Sequence, residues 1–153
     1  MSRLELLVPP PLIALICGVI MWAVARVLPA LAVPLPFSLW LGGALAAIGL
    51  AIAGAGIVSF HRAGTTHNPM KPERASALVT SGIYRWTRNP MYLGWLPIAL
   101  GWAVFLGSPV SLIVVPLFTL YLTRYQILPE ERVLRGKFGA EFDAYCARVP
   151  RWL

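Results

Sequence analysis

Four runs of apolar residues follow one another along the chain, and proline-rich or polar stretches separate them. They cover residues 8–28, 37–60, 91–106 and 108–123. The first two have the ~20 apolar residues that a helix needs to cross a bilayer. The last two have about 16 residues each, or about 24 Å of helix against a hydrocarbon core of about 30 Å. The pattern predicts an all-α polytopic membrane protein with about four transmembrane helices, and residues 1–153 forming one domain.

The last two runs are separated by Gly107-Ser108, which predicts a helical hairpin. Because each arm is short, we expect the hairpin either to stop short of crossing or to thin the bilayer locally. The second run carries a stripe of small residues at spacings of four, three, four and three: Gly42, Ala46, Gly49, Ala53 and Gly56. Such a stripe lets another helix approach closely, within this chain or in an oligomer.

Composition supports the membrane assignment. Of 153 residues, 58% are hydrophobic and 12% are charged, whereas soluble domains have roughly 45–50% apolar and about 25% charged residues. Cys17 and Cys146 are too isolated for a disulfide framework or a paired-cysteine metal site. A soluble domain, a disordered chain and a disulfide-stapled secreted module are therefore excluded. No signal-peptide cleavage pattern follows the first run, so we expect it to stay in the protein as a span.

The basic residues predict the orientation. With four spans, twelve of the thirteen Lys and Arg residues fall on one side, Arg26 being the exception. Both termini and the loop over residues 61–90 should therefore be cytoplasmic. Outside the membrane ends the basic residues do not interleave with aromatic ones, so the net charge of +7 predicts contact with lipid headgroups and no nucleic acid. Eleven Arg against two Lys favours a prokaryotic cytoplasmic membrane.

Two polar segments lie on that same predicted side, and the first covers residues 78–94. Gly82 permits a tight turn, and Asn89-Pro90 predicts a helix that begins at Pro90. An aromatic belt at the membrane interface explains its aromatic residues. It does not explain Arg85 and Arg88, which stand beside the glycine turn where the chain re-enters the lipid.

The second polar segment covers residues 124–153 and should form a cytoplasmic helical region. Pro129 with Glu130 and Glu131 predicts a helix start, and Gly139 predicts a break. The region could be an amphipathic helix lying on the membrane, or its paired carboxylates could accept hydrogen bonds from a ligand. Two carboxylates near an anionic leaflet need a cationic partner. His61 and His67 lack a cluster of further ligands, so no metal site is predicted.

Together the two segments resemble a known family. The first contains G-x-Y-x-x-x-R-N-P-x-Y-x-G, and the second contains E-E-x-x-L-x-x-x-F-G-x-x-x-x-x-Y-x-x-x-V-P-R. Both resemble the isoprenylcysteine carboxyl methyltransferase family, a broad membrane methyltransferase family that also includes phospholipid methyltransferases. The resemblance covers roughly the second half of the chain.

The resemblance implies an S-adenosylmethionine-dependent methyltransferase whose acceptor is a lipophilic small molecule or lipid-modified substrate that enters from the bilayer. It implies cofactor binding at the cytoplasmic face by Gly82, Tyr84, Arg88, Asn89, Pro90, Tyr92, Gly94, Glu130 and Glu131. The carboxylates suit the amino group and ribose hydroxyls, and Arg88 or backbone N–H groups near Gly82 suit the cofactor carboxylate. Tyr84, Tyr92 or Trp95 would flank the adenine. Arg124 and Arg88 are the catalytic candidates, Arg124 as the cation that holds an acceptor carboxylate.

Asn89 departs from the family pattern, because many relatives have His there; Asn cannot titrate, so it is assigned cofactor contact alone. Two alternatives stay open. One is a membrane reductase similar to steroid 5α-reductases, which would be protected against heat by NADPH. The other is a non-catalytic membrane interaction protein, whose polar segments only fix its topology and which would bind neither ligand.

Overall fold

A computed structural model describes residues 5–64 and 75–153, and within them all regular structure is helical. The predicted all-α class is confirmed. Six α-helices follow one another: α1 Pro10–Val27, α2 Ser38–Arg62, α3 Pro90–Leu106, α4 Val114–Leu122, α5 Leu128–Phe138 and α6 Ala140–Arg148. Short 3-10 turns cover Pro29–Leu31, Gly82–Arg85 and Pro109–Ile113. His67 lies outside the described residues.

Three helical runs are long and apolar enough to cross a membrane: Pro10–Val27, Ser38–Arg62 and Pro109–Phe138. The apolar helix α3 is shorter, with 17 residues. Much of the surface of these helices is apolar, with Leu15, Leu39 and Leu120 each more than 60% exposed. Apolar side chains in such numbers on the surface belong in lipid. The chain is thus an integral membrane protein. Among residues 5–64 and 75–153 its candidate spans are α1, α2 and the apolar first part of the run Pro109–Phe138, and α3 is a shorter apolar helix.

The small-residue stripe of α2 packs within the chain, against α3. A methyl group added at Gly42 would lie 2.7 Å from the carbonyl oxygen of Gly101, and one added at Gly56 would lie 2.9 Å from Met91 Cγ. Gly49 faces Gly94 in the same way. Only residues without a side chain permit such an approach of two helix backbones, so the predicted packing role is confirmed. This close contact between the two helices fixes the start of α3 against α2.

The helical run Pro109–Phe138 contains a π-helical turn at Thr123–Ile127. The sequence predicted that Pro129 begins a separate helix, but the run continues across it, with Ile127 and Leu128 both in the right-handed helical region. Pro129 has no N–H to give to the carbonyl oxygen of Tyr125, and its ring crowds that carbonyl. The wider turn relieves the crowding, and the N–H of Leu6 donates to Tyr125 O at 3.0 Å instead.

The predicted break at Gly139 is confirmed. Gly139 lies between α5 and α6, and its φ of 52° is a backbone conformation that favours glycine. The break folds α6 back, so that Phe142, Tyr145 and Val149 form an apolar cluster with Leu78 and other residues of the two polar segments. The chain after α6 then runs along the turn that precedes α3. The two polar segments are therefore packed against each other.

Candidate functional site

A polar cavity of about 100 Å³, partly open to solvent, lies between the two polar segments. Its lining comes from α2, the segment before α3, α3 itself, α5 and α6: Phe60, Ala75, Ala77, Leu78, Val79, Tyr84, Arg88, Asn89, Met91, Tyr92, Ile127, Glu130, Glu131, Leu134, Phe142 and Tyr145. Most of these side chains are apolar or aromatic. Both sequence motifs contribute to this one cavity.

Glu130 is the half-buried acid of the cavity, and its Oε1 accepts a hydrogen bond of 2.6 Å from the hydroxyl of Tyr92. Burial raises the pKa of Glu130 to about 8, and the neighbouring charge of Glu131 adds to this, although the hydrogen bond from Tyr92 acts in the opposite direction. Glu130 lies on the polar part of the helical run, beyond the apolar residues that end at Leu122. A carboxyl with such a pKa is largely protonated near neutral pH, and a cation bound beside it would favour its ionised form.

Glu131 is buried and is held by two arginines. Its Oε1 accepts from Arg88 Nη2 at 2.8 Å and Nε at 3.3 Å, and from Arg151 Nε at 3.0 Å. Its Oε2 accepts from Arg151 Nη2 at 2.7 Å. Burial alone would raise the pKa of Glu131, but the hydrogen bonds from Arg151 and Arg88 outweigh it and hold the pKa below its ordinary value. The two adjacent acids therefore have opposite electrostatic environments.

Arg88 also joins the segment before α3 to the C-terminal residues. Its Nη1 donates to the carbonyl oxygens of Val149 at 2.6 Å and Cys146 at 3.1 Å, and its backbone N–H donates to Pro150 O at 3.0 Å. With the two bonds to Glu131, four of the five guanidinium N–H donors have protein partners. Arg88 lines the cavity, but little of its hydrogen-bonding capacity is left for a ligand.

Asn89 lines the cavity immediately before the start of α3. Its Nδ2 donates to the carbonyl oxygen of Arg151 at 2.9 Å, and its backbone N–H donates to Thr87 Oγ1 at 3.2 Å. The helix begins at Pro90, which confirms the prediction from the Asn-Pro pair. The amide oxygen of Asn89 remains as the part of the side chain that these bonds do not use.

Tyr84 is buried in the wall of the cavity. The hydroxyl of Tyr145 donates to its carbonyl oxygen at 2.8 Å, and its ring meets Phe60 edge to face with centroids 5.4 Å apart. Burial raises the pKa of Tyr84 and of Tyr145, so both stay protonated at physiological pH. Aromatic rings held in this way form a rigid apolar surface beside Glu130.

Four residues from the predicted site do not line the polar cavity. Gly94 packs against α2, Pro90 covers Gly56, and Gly82 has a φ of 61° and faces the side chain of Ser59. The exposed Arg124 lies 3.5 Å from a carboxylate oxygen of Glu5. Trp95, which was one of the residues expected to flank the adenine, lines a different cavity. These placements leave the predicted binding or catalytic roles of Gly82, Pro90, Gly94 and Arg124 as predictions.

Other residues of the site were not predicted. Phe60, Leu134, Phe142 and Tyr145 line the cavity, and Arg151 holds Glu131. Tyr145 and Arg151 both stand in the second motif, so their position there was the available signal. Phe60 lies at the end of a long apolar helix, where nothing in the sequence distinguishes it from a lipid-facing residue.

A second, apolar groove of about 480 Å³ lies between α1, α3 and α4. Its lining consists of Pro11, Ala14, Leu15, Cys17, Gly18, Val19, Met21, Trp22, Trp95, Ile98, Ala99, Trp102, Val114, Val115 and Phe118. Several of its side chains, including Leu15, Val19 and Trp22, are exposed on the surface of the helices. We call this the apolar groove.

A cluster of four buried residues borders both the apolar groove and the polar cavity: Tyr92, Phe118, Leu122 and Ile127. Tyr92 and Ile127 line the polar cavity, whereas Phe118 lines the groove. We call this cluster the dividing wall. No group of three or more potential metal ligands occurs among residues 5–64 and 75–153.

Comparison with known proteins matches residues 37–141 to the phospholipid methyltransferase family. An uncharacterized protein of Haemophilus influenzae is 41% identical over 63 residues, which are 41% of this chain and the whole of that protein. The protein-S-isoprenylcysteine O-methyltransferase of Rattus norvegicus is 35% identical over 99 residues, 63% of this chain and 35% of the rat protein.

A probable protein-S-isoprenylcysteine O-methyltransferase of Oryza sativa subsp. indica is 34% identical over 116 residues, 74% of this chain. The matched region is 59% of the rice protein, so the chain spans only part of the length of these two named relatives. The family match covers most of the chain and includes the whole segment before α3 and Glu130 and Glu131 of α5. The chain therefore belongs to the phospholipid methyltransferase family.

Proposed function

We propose that the protein transfers a methyl group from S-adenosylmethionine to a lipophilic acceptor at the cytoplasmic face of the membrane. The observation that carries the proposal is that Tyr84 and Glu130, one from each polar segment, line the same cavity. Family membership supports methyl transfer, and the names of the rat and rice relatives support an isoprenylcysteine-like acceptor. A phospholipid acceptor is supported by the name of the family.

The residues of the polar cavity fit the proposed methyl donor. When bound, S-adenosylmethionine supplies a sulfonium methyl carbon that an acceptor lone pair attacks while the electrons of the carbon–sulfur bond return to sulfur. Glu130 offers a carboxyl for an ammonium group or ribose hydroxyls, and Tyr84, Phe60 and Phe142 offer aromatic surface for a base. A carboxyl beside apolar and aromatic walls is chemically suited to a nucleoside that carries an amino acid.

The chain contributes positioning, because the electrophile belongs to the cofactor. The bond between Tyr92 and Glu130 orients the acid, and burial of Tyr84 keeps water away from one wall of the cavity. The Arg88–Glu131–Arg151 network ties α5 and the C-terminal residues to the start of α3. Each of these contacts fixes a wall of the cavity before a ligand enters.

The apolar groove supports a lipophilic acceptor. Its lining is almost wholly apolar, and it adjoins the dividing wall, whose other side faces Glu130. We propose that the hydrocarbon part of the acceptor lies along this groove and that its polar end meets the methyl donor at the wall. Rearrangement of the wall would then be part of the reaction cycle.

Binding of S-adenosylhomocysteine to detergent-solubilised protein, measured by calorimetry, tests the proposal. We expect binding by the wild type and about tenfold weaker binding by Glu130→Gln, the loss of a hydrogen bond to a charged group. Glu141→Gln is the matched control, because Glu141 is an exposed acid of α6. Absence of binding by the wild type, or equal binding by both variants, would overturn the proposal.

The acceptor is tested separately by incubating membranes that contain the protein with a radiolabelled methyl donor. Extraction and chromatography of the lipids then identify the labelled species, and membranes with Glu130→Gln provide the background. Thermal protection by NADPH in place of S-adenosylhomocysteine would identify a reductase and contradict the proposal.

A further inference from the structure

Glu130 and Glu131 are neighbours in sequence, yet the structure gives their carboxyl groups different amounts of free hydrogen-bonding capacity. An ionised carboxylate has about four acceptor positions. Glu131 receives four N–H···O contacts of 2.7 to 3.3 Å from Arg88 and Arg151. From the described residues, Glu130 receives a single bond, from Tyr92. Glu131 is thus filled by protein donors, whereas Glu130 retains acceptor positions toward the cavity.

The two arginines are not equivalent. Arg88 reaches Glu131 through Oε1 alone, because its Nη1 is directed at the carbonyl oxygens of Cys146 and Val149. Arg151 contacts both carboxylate oxygens, and its contact is the one that fixes Oε2. Such bidentate pairing fixes direction as well as charge. Arg151 therefore decides where the second oxygen of Glu131 lies.

We propose that Arg151 is a positioning residue that, together with Arg88, holds the Glu131 carboxylate in the cavity wall, so that Glu130 is the acid of the pair that meets the methyl donor. This inference rests on the proposed function for the identity of the ligand. The division of roles between the two acids rests on the contacts alone.

Loss of Arg151 would free Oε2 of Glu131 and leave one guanidinium beside a buried carboxylate. The freed oxygen would compete with Glu130 for the ammonium group or the hydroxyls of the ligand. The charged and titratable groups that interact electrostatically with Glu131 are Arg88, Arg151, Glu130, Arg135 and Cys146. Of these, only the two bonded arginines favour its ionised form through hydrogen bonds.

The first experiment measures the kinetics of Arg151→Gln, Arg151→Lys and Arg148→Gln in the full chain. We expect Arg151→Gln to raise KM for S-adenosylmethionine about tenfold with kcat changed by less than about threefold, since ligand positioning is lost. Lys keeps the positive charge but lacks the planar guanidinium that makes the bidentate contact, so Arg151→Lys should raise KM less than Arg151→Gln does. Arg148 is exposed on α6, where its Nε donates to Ala144 O, and its removal should leave KM unchanged.

The second experiment follows the glutamate carboxyl carbons by carbon-13 NMR as a function of pH, with assignments from Glu130→Gln and Glu131→Gln. It requires no cofactor. In the wild type, we expect the titration midpoint of Glu131 to lie at a lower pH than that of Glu130. The midpoint of Glu131 should move to higher pH in Arg151→Gln and should not move in Arg148→Gln.

The two experiments separate the inference from the proposed function. If the wild type does not use S-adenosylmethionine but the Glu131 midpoint moves in Arg151→Gln, the donor assignment fails and the positioning role stands. If Arg151→Gln lowers thermal stability while KM and the Glu131 midpoint stay at wild-type values, Arg151 is merely structural and the inference is wrong.

Discussion

The hydroxyl of Tyr92 donates a hydrogen bond of 2.6 Å to Glu130, and this contact joins α3 to α5 across the polar cavity. Tyr92 is 5% exposed, and its ring also belongs to the dividing wall that borders the apolar groove. One side chain thus orients the acid of the proposed donor site and closes that site toward the groove.

Replacing Tyr92 by Phe should keep the wall and remove the bond to Glu130. We expect the affinity for S-adenosylhomocysteine to fall about fivefold, equivalent to about 1 kcal/mol for one hydrogen bond. Calorimetry measures the affinity, and Tyr121→Phe on α4 is the matched control because Tyr121 does not line the polar cavity. Equal losses in both variants would show that the contact with Glu130 does not matter for binding.

The unfolding transition should depend on pH through Glu130. Its pKa is raised from the ordinary value of 4.5 to about 8 in the folded protein. Between these values the unfolded chain has released a proton that the folded protein retains, so stability falls as pH rises through that window. Thermal unfolding in detergent between pH 5.5 and 8 should show a declining Tm in the wild type.

The slope of Tm against pH in Glu130→Gln is the check, because this variant has no acid to titrate at that position. We expect the slope to be reduced relative to the wild type, whereas Glu141→Gln should retain it. A slope that is the same in all three proteins would assign the pH dependence to other groups.

Glycines of α2 should respond to alanine substitution according to their position on the helix. Gly49 faces α3, whereas a methyl group added at Gly54 would meet nothing within 4 Å. Gly49→Ala should lower Tm because the two helices must separate. Gly54→Ala should leave Tm unchanged or raise it, since Ala favours a helix by roughly 0.5–1 kcal/mol over Gly. Similar changes of Tm in both variants would contradict the close packing of α2 against α3 at Gly49.

Filling the apolar groove should impair use of the acceptor but not binding of the donor. Ala99 lines the groove on α3, and Leu100, the next residue, is exposed and does not line it. Ala99→Phe should raise KM for the lipid acceptor about fivefold, roughly 1 kcal/mol of lost apolar contact. Leu100→Phe should not, and both should bind S-adenosylhomocysteine like the wild type. A normal acceptor KM in Ala99→Phe would place the hydrocarbon chain elsewhere.

The sequence was sufficient for the helical class, the α2 stripe, the start of α3 at Pro90 and the break at Gly139. Each of these depends on local geometry: residue size, a missing N–H group or a positive φ. It was also sufficient to bring the two polar segments together, although only through the resemblance. Hydrophobicity and the distribution of basic residues alone predicted that both segments lie on one side of the membrane, but not that they contact each other.

What could not be predicted depends on contacts between distant residues. The continuation of the helix through Pro129 requires the π turn and the N–H of Leu6, which is far away in sequence. The pairing of Arg151 with Glu131 follows from the fold of α6 and the residues after it. Gly94 stands in a motif, and only the neighbouring α2 shows that it packs against Gly49.

The dividing wall has a consequence for how rates should be measured. With the polar cavity supplied from water and the apolar groove supplied from the bilayer, the two reactants would have concentrations in different phases. Turnover would then follow the mole fraction of acceptor among the lipids, and adding inert phospholipid at constant total acceptor would slow the reaction by surface dilution. The dependence on methyl donor would still follow its molarity in solution.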